Sequence, residues 1–282
     1  MKYFYIILSV LLFSCSVEGV KNEKDKRVNS GEIKSGLKQS LSGNKTLKPT
    51  KIIDQKLFDN GIVIKWFKHG KGEPIKNEDA IAINYQVFLE DGTLVDGNEL
   101  LSRKSLPFLV GYGMQTKGWD LALTSLKIGD FVEVFIPSEL ARGKEGVKGL
   151  IPPNADNIIR LKIVSKINPT RIIDGIKVWL LEENHSETKL ASAINEVEFH
   201  YIVGTATNPK YDYSYKRNKP FKLNFDNKGV ISGLKKGLLN SKRSDKIWLV
   251  IPPEEAYGSE GLLDLVKPNE KMFYDIFVME VF

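Results

Sequence analysis

Nucleophile and metal motifs are missing from this chain of 282 residues. It has no GxSxG turn, no GxxxxGK[ST] phosphate loop and no HExxH pair. A single cysteine, Cys15, leaves no intrachain disulfide and no two-cysteine metal site. The histidines, His69, His185 and His200, lie far apart in the chain. What stands out instead is a run of aromatic and β-branched residues at turn and strand-end positions of the C-terminal half. They are Tyr201, Tyr211, Phe221, Val230, Ile231, Tyr257 and Tyr274, with Asp212 directly after Tyr211. Scattered through a core, such residues only fill space. Gathered at one place they make a dry slot, and catalysis there must proceed without a nucleophile, a metal or a cofactor.

These residues belong to the second copy of a repeat. "IPPEEAYG" at 251–258 repeats the frame of "IPSELARG" at 136–143, with Tyr257 where the first copy has Arg142. Tyr85 pairs with Tyr201 and Asp96 with Asp212 at a spacing of 116 residues. Leu106 pairs with Phe221, Gly118 with Gly233, Ile136 with Ile251 and Pro153 with Pro268 at 115. An offset this constant marks a tandem duplication, with a boundary near Asn168-Pro169-Thr170. The expected organisation is residues 57–168 for the first unit and 169–282 for the second.

The elements that must carry these residues follow from hydrophobic period. "AIAINYQVFL", "DFVEVFIP" and "IIRLKIVS" read as strands of unit one, and "NEVEFHYIV", "DKIWLVIP" and "MFYDIFVMEVF" as strands of unit two. "GWDLALTSLK" and "GLKKGLLNSK" read as one short helix each. The expected fold class is α+β: two small antiparallel sheets of about five strands, each with one helix on its concave face. One helix cannot cover both faces of a parallel sheet, which excludes a βαβ design.

The second unit, from "HYIVGTATNPKYDYSYKRNKPFKLNFDNKGVISGL" through "VIPPEEAYGSEG" to "KPNEKMFYDIFVMEV", resembles the FKBP-type peptidyl-prolyl isomerases. The first resembles them more loosely, through "INYQVFLEDGTLVDG", "KGWDLALTSLKIGD", "IPSELARG" and "GLIPPNADNIIRLKIV". The resemblance implies a half-barrel sheet wrapped on a helix, with an apolar pocket between them that receives a proline ring. By position it places Tyr201, Tyr211, Phe221, Val230, Ile231, Tyr257, Val266 and Tyr274 on the pocket walls. It puts Asp212 and Arg217 at the edge and Leu234 at the floor, where the family usually has tryptophan. The backbone N–H at Ile231 and the hydroxyl of Tyr257 are implied donors to substrate carbonyls. In unit one the corresponding residues include Tyr85, Asp96, Leu106, Trp119, Arg142, Ile151 and Ile159. That unit keeps the tryptophan floor but has Val95, Leu106 and Ile159 for aromatic walls, Gln115-Thr116 for Val-Ile, and Arg142 for the tyrosine. A cation and an amide near a proline slot cost desolvation, and lost rings remove contact area. The implied activity is prolyl isomerisation centred in unit two. The alternative is a non-catalytic module or holdase that grips proline-containing chains.

The N-terminal part reads differently. An apolar run from Tyr3 to Phe13 precedes Leu12-Phe13-Ser14-Cys15; the run is too short to span a bilayer but suits a signal core. It resembles a bacterial lipobox, with residues 1–15 as signal, Cys15 lipidated and the protein anchored in a cell envelope, periplasm-facing or surface-exposed. Residues 16–56 hold ten Lys/Arg against five Asp/Glu and read as a flexible basic tether. By difference, residues 57–282 carry 30 basic and 30 acidic side chains, so the net charge of +6 is not a property of the folded part. That argues against nucleic acid as a partner. The expected partners are proline-containing polypeptides and, through the anchor, a membrane.

Overall fold

The computed structural model describes residues 47–98, 105–194 and 196–282. Cys15 and most of the expected tether lie outside the described residues. The described chain forms two compact units, one built mainly on each of two seven-stranded sheets.

The first sheet holds β1 (Asp54–Leu57), β2 (Val63–Lys68), β3 (Ala80–Phe88), β4 (Leu94–Gly97), β5 (Leu106–Leu109), β6 (Phe131–Ile136) and β7 (Asn157–Lys166). Its order is β1-β2-β6-β7-β3-β4, with β5 also on β3. The second holds β8 (Arg171–Ile173), β9 (Ile176–Glu182), β10 (Glu196–Thr205), β11 (Asp212–Tyr213), β12 (Phe221–Asn224), β13 (Lys246–Ile251) and β14 (Met272–Val281). Its order is β11-β10-β14-β13-β9-β8, with β12 also on β10. Exchanging each strand for its counterpart in the other unit turns one order into the other, so the duplication extends to topology. One helix serves each unit: α1 (Lys117–Leu123) and α2 (Ser232–Leu238). The class is α+β.

Alternation explains the longer strands. In β6, Val132, Val134 and Ile136 are buried while Phe131, Glu133 and Phe135 are less so. In β14, Met272, Tyr274, Ile276 and Val278 line one face. That face packs with Val197, Phe199, Leu249 and Ile251 against Leu234 and Leu238 of α2. Each such large apolar side chain contributes about 1.5–3 kcal/mol on burial.

Three expectations need correction. Each sheet has seven strands rather than about five. Strands β1, β4, β5, β8, β11 and β12 have four residues or fewer, and β1 is exposed along its length. Strands β2 and β9, with six and seven residues, lie outside the segments read as strands despite their length. Their turns did carry a signal: β8 and β9 join through Asp174-Gly175, both at positive φ (49° and 78°), the conformation of a tight two-residue hairpin. Strand β1 begins at Asp54, inside the stretch read as tether. Both helices also stop early. Thr124 Oγ1 hydrogen-bonds back to the carbonyls of Asp120 and Leu121, and Leu239 leaves helical geometry at ψ 138°.

Helix and sheet approach closely at Gly118 in the first unit and at Gly233 and Gly237 in the second. A Cβ added to Gly233 would lie 2.2 Å from Ile251 Cγ2 and 2.9 Å from the carbonyl oxygen of Glu255. At Gly118 the corresponding distances are 2.3 Å to Ile136 Cγ2 and 2.9 Å to the Leu140 oxygen. The backbone oxygen cannot yield as a side-chain end could. Gly233→Ala should therefore destabilise the second unit by roughly 1–3 kcal/mol, the cost of overpacking, seen as a lowered thermal midpoint by circular dichroism. An unchanged midpoint would show that the contact is loose.

Candidate active site

The side chains expected at the site come from several elements of the second unit. Tyr201 comes from β10, Tyr211 and Asp212 from the start of β11, Phe221 from the start of β12 and Tyr274 from β14. Val230 and Ile231 lead into α2, Leu234 sits within it, and Tyr257 follows a 3-10 turn at Pro253–Glu255. Val266 closes a loop by bridging Leu262. Leu234, Val266 and Tyr274 are buried, and Tyr201, Tyr211, Phe221, Val230, Ile231 and Tyr257 pack half-buried against the same cluster. The rings meet edge-on or tilted: Tyr201 lies 6.3 Å from Phe221 at 85° and 6.1 Å from Tyr274 at 52°. Nine of the eleven residues expected here thus pack together, and Asp212 and Arg217 join them through Tyr201.

The rim is polar. Tyr201 donates its phenol proton to Asp212 Oδ2 at 2.5 Å, and Arg217 Nη1 donates to Asp212 Oδ1. Arg217 Nη2 bonds the Tyr201 oxygen at 2.7 Å. Burial works to raise the Asp212 pKa, but Arg217 and Tyr201 outweigh it and hold the carboxyl below its usual range. The Tyr201 phenol is pushed up to about 12, first by burial and then by Asp212. Burial raises Tyr211, Tyr257 and Tyr274 as well. These phenols therefore keep their protons at neutral pH. Neither the Ile231 amide nor the Tyr257 hydroxyl has a hydrogen-bond acceptor among the described residues.

The family model for FKBP-type peptidyl-prolyl cis-trans isomerase matches the chain twice, over residues 71–164 and 187–279. The chain belongs to this family. It is similar to the peptidyl-prolyl cis-trans isomerase FKBP10 of Mus musculus, 26% identical over 206 residues that are 73% of this chain and 35% of that protein. It is also similar to FK506-binding protein 4 of Rhizopus delemar, 37% identical over 106 residues, 38% of this chain and 27% of that protein. Among solved structures it is similar to the three FKBP domains of wheat FKBP73, with 27% identity, a TM-score of 0.40, and coverage of 79% of this chain and 96% of that one. The chain spans about a third of the length of the FKBP10 relative.

The first FKBP unit differs where its sequence departs. Trp119 meets Tyr85 edge-on at 5.4 Å, and Tyr85 donates to Asp96 Oδ2 at 3.0 Å. Val95, Ile151 and Ile159 are buried and Leu106 partly so. Arg142 Nη2 is held by Gln115 Oε1 at 3.0 Å, and the Thr116 hydroxyl is buried without a partner. Here burial prevails and raises the Asp96 pKa, against the Gly97 amide, Tyr85 and Arg142. The same aspartate thus shifts in opposite directions in the two units.

Two supporting residues escaped the sequence reading. Phe199 is fully buried beneath the slot, 5.7 Å from Phe221 and 6.1 Å from Tyr201. Its place two residues before Tyr201 on one strand was the available signal. Ser214 is also buried, and its Oγ accepts the Tyr201 amide at 2.9 Å. Asn98, 116 residues earlier, accepts the Tyr85 amide at 2.7 Å, so extending the repeat by two residues would have found it. Asp212→Asn removes a charge that opposes phenolate formation, so the Tyr201 pKa should fall below about 12. Carbon-13 NMR titration of labelled tyrosines checks this; an unmoved Tyr201 would sever the link to Asp212.

Proposed function

We propose that the second FKBP unit catalyses cis/trans isomerisation of X-Pro bonds in polypeptide clients, and that the first is a weaker site or a binding module. The observation that supports this is the packing of Tyr201, Tyr211, Phe221 and Tyr274 into one cluster with two donors that have no acceptor among the described residues, the Ile231 amide and the Tyr257 hydroxyl. A peptide bond resists rotation by ~18–20 kcal/mol because resonance gives it double-bond character. Unaided X-Pro exchange takes tens to hundreds of seconds or so. At the twisted transition state the carbonyl loses amide polarity. A dry slot favours that form over the planar one, while the two donors hold the chain as it turns. Each ~1.36 kcal/mol of such preference gives tenfold in rate. No proton moves and no covalent bond forms.

The full chain should accelerate exchange in an X-Pro test peptide. Tyr257→Phe, which removes one hydrogen bond worth ~1–1.5 kcal/mol, should lower kcat/KM by roughly 5–10-fold. Full activity in that variant would move the site elsewhere. A second reading, a holdase that binds proline segments without turning them over, is favoured by Leu234 at the floor and by the Arg142–Gln115 pair in unit one. Peptide binding with no acceleration by the wild-type chain would select it.

The proposal extends to location. No helix among the described residues is long and apolar enough to cross a membrane. The apolar run from Tyr3 to Phe13, followed by Ser14-Cys15, supports a lipid anchor and exported clients. A bacterial host should incorporate labelled palmitate into the wild-type chain and not into Cys15→Ser; equal labelling would overturn the anchor.

A further inference from the structure

The two donors of the proposed reaction sit on separate elements. Ile231 ends the loop into α2, and Tyr257 follows the 3-10 turn at Pro253–Glu255. Their spacing depends on how that turn is fixed to the helix. Apolar contact at Gly233 sets the approach but leaves sliding and rotation open.

A polar clamp removes that freedom. Glu255 Oε2 accepts from Ser232 Oγ at 2.6 Å, and Glu255 Oε1 accepts from Lys236 Nζ at 2.7 Å. Ser232 and Lys236 lie one turn apart on α2, on the same face. The clamp therefore grips the helix at two points. Ser232 directly follows Ile231, and Glu255 stands two residues before Tyr257. Lys236 Nζ also reaches Asp174 Oδ2 at 2.6 Å, at the turn of the β8–β9 hairpin. From the same hairpin, Arg171 Nη2 donates to the carbonyl oxygens of Gly237 and Leu239 at 2.8 and 2.6 Å, at the other end of α2. The hairpin lies before the stretch 187–279 that matches the family model.

The Glu255 side chain is only 15% exposed, so its bonds are less screened than those of a surface pair. The Lys236 and Ser232 hydrogen bonds hold its carboxyl below the usual range, leaving both oxygens as acceptors at neutral pH. In unit one Leu140 stands for Glu255, Lys117 for Ser232 and Leu121 for Lys236, so no side-chain carboxylate can face the helix from that position.

We infer that Glu255 is a positioning residue for isomerisation: by tying Ser232 and Lys236 to the turn before Tyr257, it sets the distance between the Ile231 amide and the Tyr257 hydroxyl. This rests on the isomerase reading of the second slot. Positioning acts on the twisted state more than on the docked peptide, so kcat should respond and KM should not.

The test uses the full chain and an X-Pro peptide, with kcat and KM measured separately. Glu255→Ala should lower kcat by about 10-fold with KM changed less than about 2-fold. Glu255→Gln, which keeps an acceptor oxygen, should recover much of the loss. In a Tyr257→Phe background the Glu255→Ala effect should shrink below about 3-fold, because both changes damage the same donor pair. A fully additive effect, or an equal loss in Glu255→Gln, would overturn the inference. If the wild-type chain does not catalyse, the isomerase reading fails and NMR decides positioning alone. Glu255→Ala must then shift the Ile231 amide and Tyr257 ring signals while Tyr85 and Trp119 stay in place. Unmoved Ile231 and Tyr257 signals would sink positioning too.

Discussion

Helix α2 meets strand β13 with no helix side chain between them, Gly233 resting against the Ile251 side chain, and the residues of the candidate site are arranged outward from that contact. With only hydrogen at Gly233, the helix backbone can come within reach of Ile251 and of the Glu255 carbonyl. Three consequences follow from one approach distance. Leu234, next in the helix, is pressed into the core as a floor, at 4% exposure. Ile231, just ahead of the helix, presents its backbone at the slot. The turn carrying Glu255 and then Tyr257 is drawn against the helix, close enough for a hydrogen-bond clamp. Unit one uses Gly118 in the same way against Ile136 and Leu140. The frame is common to both units, and their differences lie in what is mounted on it.

What is mounted differs in a complementary way. Unit two has Tyr211, Phe221 and Tyr274 where unit one has Val95, Leu106 and Ile159, and Leu234 where unit one has Trp119. The polar rims diverge too. In unit two Arg217 bonds both Asp212 and Tyr201, so the carboxylate stays ionised and organises the edge. In unit one the equivalent carboxylate is dominated by burial, and the cation Arg142 takes the place of the tyrosine at the mouth.

How much of this could be read from the sequence depended on range. The repeat was legible because the 115–116 residue offset recurs at many unrelated residue types. The long strands were legible from alternation, as in Val132, Val134 and Ile136. The slot residues were legible only through family resemblance, since their spacing has no period of its own. Short edge strands were not legible: β1 buries nothing, and β8 is three residues long. Helix ends were misjudged because a threonine bonding backwards and a residue leaving helical geometry do not alter hydrophobic period. The Ser232–Glu255–Lys236 clamp was beyond reach for a different reason. Its partners lie on separate elements, and single charged or polar residues at such distances look like ordinary surface.

The four phenols at the proposed site of the second unit share one electrostatic property. Tyr201, Tyr211, Tyr257 and Tyr274 all have pKa values raised by burial, so each holds its proton firmly and stays neutral. Neutral hydroxyls can donate to a carbonyl without bringing a charge into the slot. A charge would act the other way, because the planar amide is the more polar of the two states and gains more from a nearby ion than the twisted one does. Unit one has the cation Arg142 where unit two has the neutral Tyr257, and in the isomerase reading proposed above that exchange would leave unit one the weaker site or a binding module.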